Sequence, residues 1–301
     1  LDLVGDKTFR ISDDGAAQIN ANGYSINLAS ANGPNGWTLT NSGVAATLTG
    51  SAFADTITAG ANGDVVDGRG GNDYLSSGAS SDTFTGGTGA DTFVISGGTD
   101  QITDLGVGND VIQVTALGTL NSAKAQANWT ADSSSSNAGS ATIDVNGFAV
   151  DLTNVSGSNG WKLTNTAGSG TAIGSSLNDT INGGASSDSL NGGLGDDTIT
   201  GNALADTMTG GSGSNTFYVD NTGDVVIEQA NGGQDEVRSS ISYTLGDNVE
   251  NLTLTGSEKI NGTGNSLANK IVGNDAANSI AGMAGDDSIQ GGGGDDTIEG
   301  G

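Results

Sequence analysis

The chain has 301 residues, 35 of them acidic and 8 basic, giving a formal net charge of −27 with no histidine and no cysteine. That balance excludes a partner bound through nucleic acid phosphates, which needs basic patches, and argues equally against insertion into or adhesion to anionic membranes. The missing histidine and cysteine also remove the commonest acid–base and nucleophilic groups. Leu, Ile, Val and Phe supply 60 residues, just under a fifth. With this charge that places the chain at the border of intrinsic disorder, and no disulfide framework can compensate.

Residues 1–49 read as a β-rich head. Strand-like runs at 18–21 and 24–28 flank Asn22 and Gly23, a strong two-residue hairpin signal. A second Asn-Gly pair, Asn35 and Gly36, leads into a short strand that opens on Trp37. Residues 50–94 form a repeat array. Residues 95–140 hold short strands, such as 110–114, and a serine run at 133–136 that reads as a surface loop or joint.

A second head at 141–173 copies the first. Trp161 follows Trp37 by 124 residues, as Asn146 follows Asn22 and Asp179 follows Asp55. The runs 141–145 and 148–152 alternate apolar and polar residues around Asn146 and Gly147, and the pair Asn159 and Gly160 precedes Trp161. The second array covers 174–218. Residues 219–263 keep strand-sized runs at 240–245 and 251–255 and read as irregular β-solenoid coils. A third array covers 264–301. Leu1 and the terminal Gly300 and Gly301, which open a fresh unit, suggest an internal stretch of a longer repetitive protein. Glycine and β-branched residues dominate throughout, so the fold class is all-β.

The arrays are defined by aspartates in strict nine-residue phase: Asp55, Asp64, Asp73, Asp82 and Asp91, then Asp179, Asp188, Asp197 and Asp206, then Asp287 and Asp296. Asn215, Asn269 and Asn278 occupy the same phase with a neutral side chain. Each unit reads G-G-x-G-x-D-x-U-x, with U apolar, as in Gly192-Gly-Leu-Gly-Asp-Asp197-Thr-Ile199-Thr200. The glycines allow a tight loop with carbonyls turned inward. The last three residues form a short strand whose apolar member faces the core: Ile57, Val66, Leu75, Phe84 and Phe93 in the first array, and Ile181, Leu190, Ile199, Met208 and Phe217 in the second. Two units make one coil, so residues eighteen apart stack. Asp55, Asp73 and Asp91 then share one edge, with Asp64 and Asp82 on the other. Coils stack at about 4.8 Å, and carboxylates at that spacing repel by about 1–3 kcal/mol unless a cation lies between them.

In these residues the chain resembles the RTX (repeats-in-toxin) family of secreted bacterial proteins, over about residues 50–94, 174–218 and 264–301. The resemblance implies calcium-binding parallel β-roll (β-solenoid) arrays alternating with the small β-rich heads, and several calcium ions, each shared by carbonyls of one loop and carbonyls plus aspartate of the loop one coil away. Gly68, Gly70 and Asn72 would join Gly87, Gly89 and Asp91 in the first array. Gly192, Asp196, Gly211 and Gly213 would contribute in the second, with the phased aspartates as ligands throughout. The loops ending at Asp82 and Asp188 carry Ala-Ser-Ser in place of x-Gly-x, and the strongest sites are expected on the edge carrying Asp73 and Asp197.

The family implies export by a type I pathway as a calcium-poor chain that folds on calcium outside the cell, at the weak affinities of extracellular modules. The function expected is that of a calcium-stabilised structural segment of a bacterial surface protein: a surface layer, adhesin stalk or extracellular fibre. The alternative is a folding and secretion appendage of an RTX toxin or hydrolase. The duplicated heads favour the first. The partners expected are calcium, with further copies of the chain and surface glycans as open options. Trp37 and Trp161 read as packing anchors rather than a carbohydrate platform. Catalysis is not expected. Paired acids such as Asp196 and Asp197, or Asp286 and Asp287, fall inside the calcium loops.

Overall fold

The computed structural model describes residues 17–31 and 35–301. The first sixteen residues of the expected head lie outside them. Among the described residues there is no helix; every regular element is a strand of two to seven residues. The chain divides into two compact units, residues 1–144 with 148–161, and residues 145–147 with 162–301.

Each unit is a parallel β-solenoid. In the first, one sheet stacks Gln18–Asn20, Thr38–Thr40, Thr56–Thr58, Tyr74–Ser76, Thr92–Ile95 and Val111–Val114, and continues through Ser136–Asn137 and Ser156–Gly157. The opposing sheet stacks Ile26–Asn27, Thr47–Thr49, Val65–Asp67, Thr83–Thr85, Thr99–Leu105 and Thr119–Ala125. In the second unit, Lys162–Thr164, Thr180–Asn182, Thr198–Thr200, Thr216–Val219, Glu236–Ser239, Asn251–Leu254, Lys270–Val272 and Ser288–Gln290 form one sheet. Thr171–Ile173, Ser189–Leu194, Thr207–Ser212 and Val225–Ile227 run in another, and Tyr243–Thr244, Gly262–Thr263, Ser279–Ala281 and Thr297–Glu299 in a third. Pairing is parallel and, within the arrays, offset by eighteen residues, as in Thr56 with Tyr74 and Thr180 with Thr198.

The eighteen-residue offset puts like side chains in columns. Ile19, Leu39, Ile57, Leu75, Phe93 and Ile112 stack in one column of the first unit, and Leu48, Val66, Phe84 and Ile102 in the facing one. Leu163, Ile181, Ile199, Phe217, Val237 and Leu252 repeat the arrangement in the second unit. All ten core positions expected in the first two arrays are buried. Phe84 meets Phe93 edge-to-face with centroids 6.5 Å apart. The alternating buried and exposed pattern of each short strand follows from the two-residue period of a strand.

Two expectations are corrected. The Asn-Gly pairs do not close hairpins. Gln18–Asn20 pairs with Thr38–Thr40, and Ile26–Asn27 with Thr47–Thr49, both parallel. Asn22 (φ 48°) and Gly23 (φ 85°) turn a coil corner instead, as do Asn146 (φ 52°) and Gly147 (φ 79°). Asn41 and Asn165, each eighteen residues after its glycine, hold these corners by accepting the N–H of Gly23 and Gly147 through Oδ1, both at 2.8 Å. The serine run at 133–136 is not a free joint either. Ser135 is fully buried and its hydroxyl accepts the N–H of Ile112. Trp37 and Trp161 are buried to within 3% and 1% of full cover, which rules out stacking of a sugar on either ring.

Candidate metal centre

The glycine loops at the coil edges are shaped by close approach. A methyl group at Gly68 would collide with Oδ2 of Asp73 and the carbonyl of Gly86, and one at Gly192 with Oδ2 of Asp197 and the carbonyl of Gly210. The first glycine of a unit therefore leaves room for a carboxylate oxygen beside a carbonyl of the next coil. Gly87 and Gly89, and Gly211 and Gly213, adopt positive φ and lie against carbonyls of residues 69, 71, 193 and 195 respectively. The side chain of Asn72 accepts the N–H of Ala90 at 2.9 Å, and that of Asp196 accepts the N–H of Ser214 at 2.7 Å, so both also tie neighbouring loops together.

The aspartates form the edge ladders that the eighteen-residue offset requires. Oδ1 of each accepts the backbone N–H one coil earlier: Asp55 donates to Asp73 (2.7 Å), Asp73 to Asp91 (2.8 Å), and Asp64 to Asp82 (2.7 Å). In the second unit Asp179 donates to Asp197 (2.7 Å), Asp197 to Asn215 (3.0 Å), and Asp188 to Asp206 (2.7 Å). Asn269 and Asn278 donate to Asp287 and Asp296. One carboxylate oxygen thus braces the coil stack whatever the other does.

The ladders also run past the arrays, through residues that the spacing reading missed. Asp82 donates to Asp100 (2.8 Å), Asp91 to Asp110 (3.1 Å), Asp206 to Asp224 (3.1 Å) and Asn215 to Asp235 (2.8 Å). Asp100 and Asp224 were legible, since each falls nine residues after the last position assigned to its array. Asp110 and Asp235 were hidden by loops of altered length. Asp104 was missed as well. It accepts the N–H groups of Gly86 and Gly87 at 2.9 and 2.7 Å. Its counterpart 124 residues later is Glu228, which lies over Gly210 and takes the Asn215 amide at 3.3 Å.

The second carboxylate oxygen decides what the loops can hold. Oδ2 of Asp73, Asp188, Asp197, Asp206 and Asp287 has no hydrogen-bond partner. Four of these side chains are almost wholly buried, Asp188 the least so at 5% exposed. Burial pushes the Asp73 and Asp197 carboxyls up to about 8, aided by neighbouring acids, and Asp206 up to about 7. A buried acceptor left unpaired is costly, by about 1–3 kcal/mol and more when charged. No group of three or more acidic side chains converges on a metal-sized point among the described residues. A cation here must draw most of its oxygens from backbone carbonyls. Hard oxygen donors, a flexible glycine loop and one carboxylate per unit match calcium, which takes six to eight oxygens in an adaptable cage.

A parallel solenoid whose turns carry glycine–aspartate loops defines the class: a calcium-type β-roll. A family model of the RTX calcium-binding nonapeptide repeat, in four copies, matches residues 45–75, 68–102, 173–208, 200–226 and 272–301. The chain is a bearer of RTX calcium-binding repeats, and those stretches belong to that family. No curated protein matches the chain.

Proposed function

We propose that the chain is a calcium-stabilised structural segment of a secreted bacterial surface protein, such as a surface layer, an adhesin stalk or an extracellular fibre. Calcium would be held by the phased aspartates whose second oxygen is bare, such as Asp73 and Asp197, with carbonyls of Gly68, Gly70, Gly87, Gly89, Gly192, Gly211 and Gly213, supplying the positive charge that a −27 chain lacks. The carrying observation is the set of buried carboxylate oxygens that meet no donor beside glycine carbonyls. Further support comes from the 124-residue duplication, which extends to Asp104 and Glu228 and so repeats a whole structural module. A secretion appendage of a toxin or hydrolase has less use for repeated modules. Export by a type I pathway as an unfolded chain is consistent with an interior this poor in large apolar groups.

An antibody against the chain, applied to intact cells of the source bacterium, tests the placement. Labelling of unpermeabilised cells grown in millimolar calcium is the expected result. Labelling that appears only after permeabilisation would contradict a surface role.

A further inference from the structure

The loops are of two kinds, divided by the residue four positions before the ladder side chain. In one kind that residue donates its backbone N–H to the second oxygen of the ladder carboxylate and closes the loop on itself. Ser51 does so to Asp55 (2.6 Å), Gly60 to Asp64 (2.8 Å), Gly78 to Asp82 (3.1 Å) and Ser175 to Asp179 (2.5 Å). Ser51 and Ser175 add their hydroxyls to the same carboxylate. Asn265 and Asn274 close the loops of Asn269 and Asn278 in the same way, through Oδ1, at 2.7 and 3.0 Å.

In the other kind the corresponding residues are Arg69, Gly184, Gly193, Asn202 and Met283, which precede Asp73, Asp188, Asp197, Asp206 and Asp287. All five have positive φ, from 63° to 102°, and all five leave Oδ2 without a partner. None of these six closing residues has positive φ, but positive φ does not by itself open a loop, since Gly106 (φ 87°) closes on Oδ2 of Asp110 at 2.8 Å beyond the first array. For Arg69 and Met283 a positive φ is sterically unfavourable, so it is imposed by the loop rather than chosen by the residue.

Each array starts on closed loops. The first opens with two, the second with one and the third with two before the first open loop, and in the first array the closed loop of Asp82 follows the open loop of Asp73. A cation entering a closed loop would have to displace a buried amide and leave it unpaired, whereas in an open loop it meets a bare oxygen. We infer that the closed loops are metal-free turns, and that each array begins on such a preformed end, against which the calcium-dependent open turns fold. This rests on the calcium reading above.

Amide-resolved hydrogen exchange on the full chain, with saturating calcium and then with chelator at neutral pH, tests the inference. With calcium, both kinds of loop should be protected. In chelator the closing amides of Ser51, Gly60, Ser175, Asn265 and Asn274 should stay protected at least tenfold better than the ladder amides of Asp179 and Asp188, whose acceptors, Asp197 and Asp206, belong to open loops. If both groups lose protection together, the closed turns have no independence and the inference is overturned while calcium-dependent folding stands. If neither group changes, the calcium reading itself fails and takes the inference with it.

Discussion

Asp197→Asn should destabilise the calcium-loaded protein and stabilise the chelated one. Oδ1 of Asp197 accepts the Asp179 N–H at 2.7 Å, and an asparagine keeps that bond. Oδ2 is buried without a donor. Burial raises this carboxyl to about 8, and Asp179, Asp196 and Glu228 push in the same direction, so its charge is unwelcome whenever no cation balances it. An amide nitrogen in that place finds a carbonyl, as Asn215 shows by donating to Gly213 at 3.2 Å. With calcium at about ten times a site's dissociation constant, loss of that ion removes about 1.4 kcal/mol. Thermal unfolding of the variant and the parent, with calcium and with chelator, should therefore give shifts of opposite sign. A shift of the same sign in both conditions would place Asp197 in the fold and outside the metal site.

Mild acid should rescue the chelated protein. Folded-state values are raised to about 8 for Asp73 and Asp197, about 7 for Asp206 and Glu228, and about 6 for Asp91 and Asp100, with burial the leading cause in each. The ordinary value for an aspartate is 3.8. Between the unfolded and folded values the native state binds more protons than the unfolded chain, so stability falls as pH rises. The penalty is absent below about pH 4 and fully developed above about pH 8. Chelated protein should then show more strand and a higher thermal midpoint at pH 5 than at pH 8. Saturating calcium should reverse the trend, since ligand carboxylates must lose their protons to bind the ion. Chelated protein that grows more stable from pH 5 to pH 8 would contradict the burial argument.

The coil geometry was legible because a nine-residue phase leaves little choice. Asp55 and Asp73 must stack if Ile57 and Leu75 are to share a column, and they do. The Asn-Gly corners misled because two consecutive residues with positive φ serve a solenoid corner as well as a hairpin. Only the partner strands, eighteen or more residues away, tell them apart. The division between open and closed loops was not legible at all. Glycine closes the loops of Asp64 and Asp82 yet opens those of Asp188 and Asp197, and asparagine closes those of Asn269 and Asn278 yet opens that of Asp206. Asp104 and Glu228 were hidden too. They lie out of phase with the ladder and act on glycine amides that only folding brings near.

If a cation completes the open turns, circular dichroism during a calcium titration of metal-free protein will show it. The strand signal should rise cooperatively as calcium reaches the millimolar range, and magnesium, which demands a smaller and more rigid cage, should not substitute. A metal-free sample that already carries the full strand signal, and melts at the same temperature with and without calcium, would contradict the account.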